Sequence, residues 1–266
     1  MKKLALAAAA IFALFAGSAS AADMAVKARP VAAPLPVFSW TGFYVGLNAG
    51  GGWNERTGDH FCVTPAGVLA GVGCSVSVNG TVEASGALAG GQIGYNWQAG
   101  SIVWGGEADI QWSGIKGSSA FNLACCLPVT APPGFAATSS QDLRWFGTVR
   151  GRLGVAVAER GLIYGTAGLI YGEEAISFSA VVPGITYAAA ASSIRTGWTA
   201  GGGFEYAFTN NLSAKVEGLY YDMGRQTVSF TSPATLFTLN DSFKFTGVMA
   251  RAGLNWKFGG PAVASY

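Results

Sequence analysis

Charge is scarce in this chain: 16 Lys and Arg and 14 Asp and Glu make up only 11% of 266 residues, and the formal net charge is +2. A surface that holds nucleic acid needs a basic face, and no basic cluster occurs, so that partner is excluded. Histidine is rarer still, with His60 alone. One imidazole cannot build a zinc site, and the four cysteines, Cys62, Cys74, Cys125 and Cys126, lack the C-x-x-C spacing that could. No metal or cofactor is expected. Long apolar runs without breakers are also missing beyond residue 21. The uncharged stretches 61–82 and 175–194 contain Pro65 and Pro183-Gly184, so they read as loops, and a helical membrane protein is not expected.

What the chain has instead is 39 glycines, 12% aromatics and a hydrophobic half. Lys2 and Lys3, the apolar run Leu4 to Phe15 and Ala19-Ser20-Ala21 form a secretory signal peptide over 1–21. Residues 22–39, with Pro30, Pro34 and Pro36, form an extended lead-in. A single domain is expected over 40–258, followed by a tail at 259–266.

The stretch 143–159, LRWFGTVRGRLGVAVAE, shows the pattern of that domain. Leu143, Trp145, Gly147, Val149, Gly151, Leu153, Val155 and Val157 form one wholly apolar set, while Arg144, Arg150 and Arg152 all fall in the other. A period of two is a β-strand with one apolar and one polar face. The same alternation recurs over 40–53, 87–97, 102–113, 162–172, 195–208, 212–222 and 246–258. That makes about eight strands of roughly ten residues or more, the length a tilted strand needs to cross a bilayer. Tight turns at 98–101, 159–161 and 209–211 alternate with long Gly-, Ser-, Thr- and Pro-rich loops around 54–85, 114–141, 179–193 and 231–242. This is the order of an up-and-down barrel with short periplasmic turns and long outer loops.

Aromatics gather at the ends of the apolar faces, among them Trp40, Trp53, Trp97, Trp104, Trp112, Trp145, Trp198 and Trp256, and no charge lies between. That is a membrane-interface girdle. One arginine pointed into lipid at mid-depth costs about 2–4 kcal/mol, so the three arginines are expected to point inward. A soluble ligand-holding barrel would place its charges on the opposite face.

Glu107, Asp109, Glu205 and Glu217 share the inward face with Arg144, Arg150, Arg152, Lys215 and Arg251. Paired carboxylates can do acid–base work. However, an eight-stranded barrel is only wide enough for side chains to fill, and buried charges must pair, so these nine residues read as a structural lumen network. His60 lies in a loop with no serine motif beside it, and Ser113-Gly-Ile-Lys116 lacks the companion motifs of an S-x-x-K enzyme. In an oxidising compartment Cys62 and Cys74 are the natural disulfide pair. Cys125 and Cys126 form either a strained vicinal bridge or a link between loops.

The segments WTGFYVGLNAGGGW (40–53), GGGFEYAFTNNLSAKVEGLYYDMG (201–224) and ARAGLNWKFG (250–259) resemble the small outer-membrane β-barrel proteins of alpha-proteobacteria, often called outer-membrane immunogenic or porin-family proteins. The resemblance implies an eight-stranded antiparallel transmembrane β-barrel in the cell outer membrane of a Gram-negative bacterium. It also implies a surface-exposed antigen with no catalytic residues, and a terminal aromatic, Phe258 or Tyr266, as assembly signal. Expected partners are outer-membrane lipid and lipopolysaccharide and the barrel-assembly machinery, with oligomeric state left open. The expected role is structural and envelope-stabilising. The alternatives are a narrow porin for small polar solutes and an outer-membrane lipid-modifying enzyme.

Overall fold

The computed structural model describes residues 38–63, 78–123, 135–182, 185–231 and 238–258. Eight strands follow in chain order: β1 Gly42–Val63, β2 Val78–Ala99, β3 Ile102–Leu123, β4 Phe135–Val157, β5 Gly161–Val182, β6 Ile185–Ala207, β7 Leu212–Thr231 and β8 Thr238–Phe258. Each pairs antiparallel with its sequence neighbours, and β1 pairs with β8, which closes an up-and-down barrel. The expectations for a signal peptide, for the lead-in up to residue 37 and for the tail at 259–266 fall outside the described residues.

Every strand is 20–23 residues long, twice the length read from the alternation. The exposed aromatics explain the difference. One ring of them, including Phe43, Trp97, Trp104, Tyr206, Trp256 and Phe258, lies at the end of the barrel that carries the tight turns. A second ring, including Trp53, Trp112, Trp198 and Tyr220, lies farther along the same strands. From Phe43 to Trp53 is about 33 Å of strand, or about 25 Å along the axis of a barrel tilted roughly 40°. That is the height of a lipid-facing band. Beyond the second ring the strands continue for about another ten residues, where lipid no longer imposes alternation but the hydrogen-bond ladder persists. The long loops expected at 54–85, 114–141, 179–193 and 231–242 are therefore largely strand. Only 183–184 separates β5 from β6.

Two of the ladders are shorter than the others. β6 and β7 pair from Ala207↔Ser213 up to Trp198↔Asp222, and β2 and β3 pair up to Ser85↔Lys116. Among the described residues neither ladder continues outward.

The register shifts at three places just beyond the second aromatic ring, one of them in β3 between Trp112 and Ile115. In β4 the extra residue is Arg144, opposite the step from Glu173 to Glu174 of β5. In β7 the register shifts between Asp222 and Arg225, and Gly224 takes a positive φ of 78° that only glycine adopts freely. At the tight-turn end the β4–β5 connection holds two non-glycine residues at positive φ, Ala158 at 47° and Glu159 at 62°. Such angles are uncommon for residues with a side chain beyond Asn and Asp.

Candidate functional site in the barrel lumen

Side chains alternate between the lipid face and the lumen. Val149, Leu153, Val248 and Leu254 are half-exposed or more on the outside. Glu107, Asp109, Arg150, Arg152, Glu205, Lys215, Glu217 and Arg251 all point inward and are no more than 5% exposed. Eight ionisable groups inside one barrel is an expensive arrangement unless each is paired, and the distances show how the charges meet.

Arg150 reaches three carboxylates through one nitrogen: Glu107 at 2.6 Å, Asp109 at 3.0 Å and Glu217 at 3.4 Å. The Lys215 ammonium donates to both oxygens of Glu107 at 2.9 Å and lies 3.7 Å from Glu217. Arg251 donates to Asp109 at 2.7 Å and to Glu217. Arg152 donates to Glu205 at 2.8 Å. Four carboxylates thus face four cations, and the network is neutral as a whole.

Neutral groups add further donors to the carboxylates, and at Glu205 they hold the oxygen that no cation reaches. Tyr44 donates to Glu107 at 2.7 Å, Thr148 to Asp109 at 2.7 Å and Tyr164 to Glu217 at 3.1 Å. Ser213 and the Asn255 amide donate to Glu205 at 2.6 and 2.8 Å. The Arg152 guanidinium lies 4.0 Å from the Tyr164 ring centroid, close enough for a cation–π contact. Gly94 opposes Tyr44 across the β1–β2 ladder, and a Cβ there would collide with the phenol ring. Removing one methyl's worth of volume is what lets the tyrosine lie flat across the lumen.

The lumen is not polar throughout. Toward the tight turns the network rests on Trp40, Val103, Leu162, Tyr164 and Ala207. On its other side lies a larger apolar layer that includes Leu88, Ile115, Leu143, Phe146, Ile170, Leu219, Phe245 and Met249. Beyond this layer a second polar level holds the buried ion pair Arg195–Glu174 at 2.5 Å, and Gln141 donating to Asn54 at 2.7 Å. Alternation alone marks which residues face inward. It does not mark the depth at which the inward set turns from charged to apolar, and the two apolar layers and the Arg195–Glu174 pair were missed for that reason.

Three sequence expectations are corrected. Arg144 is not a member of the lumen network. Its side chain is 56% exposed and pairs with Glu173 on the outer surface at 3.3 Å. The bulge at this residue breaks the alternation, so Leu143, assigned to the lipid face, turns inward and is 1% exposed. Trp40 is not part of the girdle, because it is buried beneath the lumen. The backbone of His60 and Cys62 lies in β1, where His60 pairs with Val78 and Asp241 and Cys62 with Leu239, rather than in a loop. Cys74, Cys125 and Cys126 lie outside the described residues.

Comparison with known proteins places this geometry in context. Residues 7–258 match the outer membrane protein beta-barrel domain. The chain is 36% identical over 260 residues to the 31 kDa outer-membrane immunogenic protein of Brucella melitensis, covering 94% of this chain and 98% of that protein. It is 28% identical over 247 residues to the 25 kDa outer-membrane immunogenic protein of the same organism, covering 92% of each. Among solved structures, the outer membrane protein OprG from Pseudomonas aeruginosa aligns with a TM-score of 0.48 and 13% identity, over 84% of this chain and 99% of that one.

Proposed function

The chain belongs to the outer membrane protein β-barrel family, and on that premise we propose that it is a sealed, non-enzymatic barrel that stabilises the outer membrane and presents its outer strands and loops at the cell surface. One observation carries this reading: a neutral network of four carboxylates and four cations, each no more than 5% exposed, crosses the lumen between two apolar layers. A hydrated solute would have to break ion pairs and then pass Phe146, Phe245 and Tyr221 at almost zero exposure. The space found beneath the network, against Trp40, Tyr44 and Glu205, is about 10 Å³, roughly room for one water.

The same geometry argues against acid–base catalysis. Each carboxylate is held by a cation within 3 Å, so none is left as a general base facing a substrate. The names of the relatives, outer-membrane immunogenic proteins, support surface exposure for this chain as well.

Liposome swelling tests this function. Vesicles carrying the purified barrel should not swell faster than empty ones in arabinose or glycine, and rapid swelling would support the narrow porin instead. Lipid A extracted from cells that overproduce the barrel should keep its mass, and a shift would support the lipid-modifying alternative.

A further inference from the structure

Residues 38–41 precede β1 and turn across the tight-turn mouth of the barrel. They form no rung of the strand ladder, yet Trp40 is only 3% exposed. Its indole packs against Val103, Leu162, Tyr164 and Ala207, and Phe38 and Ala156 pack on the same cluster. Phe38 meets Trp40 edge-on, with ring centroids 5.0 Å apart.

A set of polar contacts latches this segment to the barrel rim. The Trp40 backbone N–H donates to the Gln98 side-chain oxygen at 2.7 Å, and the Gln98 backbone N–H donates to the Thr41 hydroxyl at 2.9 Å. The Lys257 ammonium donates to the Ser39 carbonyl. The same ammonium lies 4.5 Å from the Phe38 ring centroid, and the Arg160 guanidinium lies 5.6 Å from it. Strand ends from β2 and β8 and the β4–β5 turn therefore all grip four residues that the sheet itself does not need.

We propose that residues 38–41 are a stopper, a built-in lid that closes the periplasmic mouth and shields the lumen from the periplasm. Directly above Trp40 the small space bordered by Tyr44, Asn96, Glu205 and Asn255 leads to the charged layer. The indole is thus the apolar floor that keeps bulk water from the Arg152–Glu205 pair. Because side-chain packing and a few hydrogen bonds hold the segment, rather than the ladder, it can leave while the eight strands stay paired. This is the signature of a low-cost local opening. The stopper is independent of whether the charged layer conducts, so the two claims are tested by different readouts.

The test is thiol accessibility at Asn96, which is 3% exposed beside the stopper. Asn96→Cys is built in a background carrying Cys62→Ser, Cys74→Ser, Cys125→Ser and Cys126→Ser. The folded barrel is then treated with a charged methanethiosulfonate reagent. The new thiol should react slowly in this parent. It should react at least about tenfold faster when Phe38→Ala and Trp40→Ala are added, because the local opening then becomes frequent. Gln98→Ala, which cuts the latch and leaves the apolar packing, should give an intermediate rate. Heat-modifiable gel migration confirms that each variant is folded, and if the double variant is not, the Gln98→Ala rate decides. A thiol that already reacts in the parent as fast as in urea-unfolded protein overturns the stopper. So does a rate unchanged by Gln98→Ala and by the double substitution in a folded barrel.

Discussion

Lys215→Met probes the charged layer at the cation that donates to both oxygens of Glu107. The substitution keeps length and apolar volume but removes two charge-assisted hydrogen bonds of 2.9 Å to Glu107 and an ion pair of 3.7 Å to Glu217. Lys215 is 2% exposed and Glu107 5%, so water cannot replace what is lost. Four carboxylates then face three cations. Removing one partner of a buried pair costs about 3–5 kcal/mol, chiefly because the remaining charge stays buried and uncompensated. Glu107→Gln leaves the opposite imbalance, three carboxylates against four cations, and a similar cost is expected although the amide still accepts from Tyr44. The double variant restores three against three. Its cost should fall below the sum of the single costs by about 2–3 kcal/mol, the coupling expected of groups in one network. Urea titration of the barrel in phospholipid vesicles, followed by tryptophan fluorescence and gel migration, measures all three. Costs that add to within about 0.5 kcal/mol would refute the idea that charge balance, rather than packing alone, holds the lumen together.

Other substitutions test the remaining assignments. Val149 faces lipid opposite Ala108 between the two aromatic rings, so Val149→Arg should destabilise by about 2–4 kcal/mol, whereas Leu153→Arg, beside Trp104 at the interface, should cost about 0–1; equal costs in urea titrations would contradict the placement of the band. Arg144→Gln breaks only an exposed pair and should change stability by at most about 1 kcal/mol, while Arg150→Gln should cost several times more. If the Arg144 and Arg150 substitutions cost the same, the bulge assignment is wrong. Glu159→Gly relieves a positive φ of 62° in the β4–β5 turn and should stabilise by about 1 kcal/mol, read as a raised urea midpoint.

The alternation over Val149–Val157 was enough to show a strand and which face meets lipid, because lipid tolerates no charge and the lumen holds them all. The same rule extended to Arg144 failed. A bulge inserts one residue without any mark in composition, and Gly-free LRW carries none of the glycine signal that flags Gly224 in β7. Strand length was underestimated for a related reason. Beyond Trp53 and Trp112 both faces meet polar surroundings or a narrow interior, so residues such as Ser118, Ser139 and Ser177 pair in the ladder without alternating in hydrophobicity. The eight network charges were visible as types and parity, but their partners depend on the stagger of strands distant in sequence, as Glu107 and Lys215 illustrate. Trp40 looked like a girdle residue because it stands ahead of a strand beside other aromatics, and only the inward turn of 38–41 shows otherwise.

Single-channel recording from the purified full-length barrel in a planar lipid bilayer tests the sealed lumen most directly. Eight strands leave an interior about wide enough for side chains alone, and here those side chains form a neutral, paired layer capped by apolar ones. The expected trace is a flat baseline, with openings appearing only in variants that unbalance the layer, such as Lys215→Met. Steady channels of nanosiemens scale from the unaltered barrel would contradict the account.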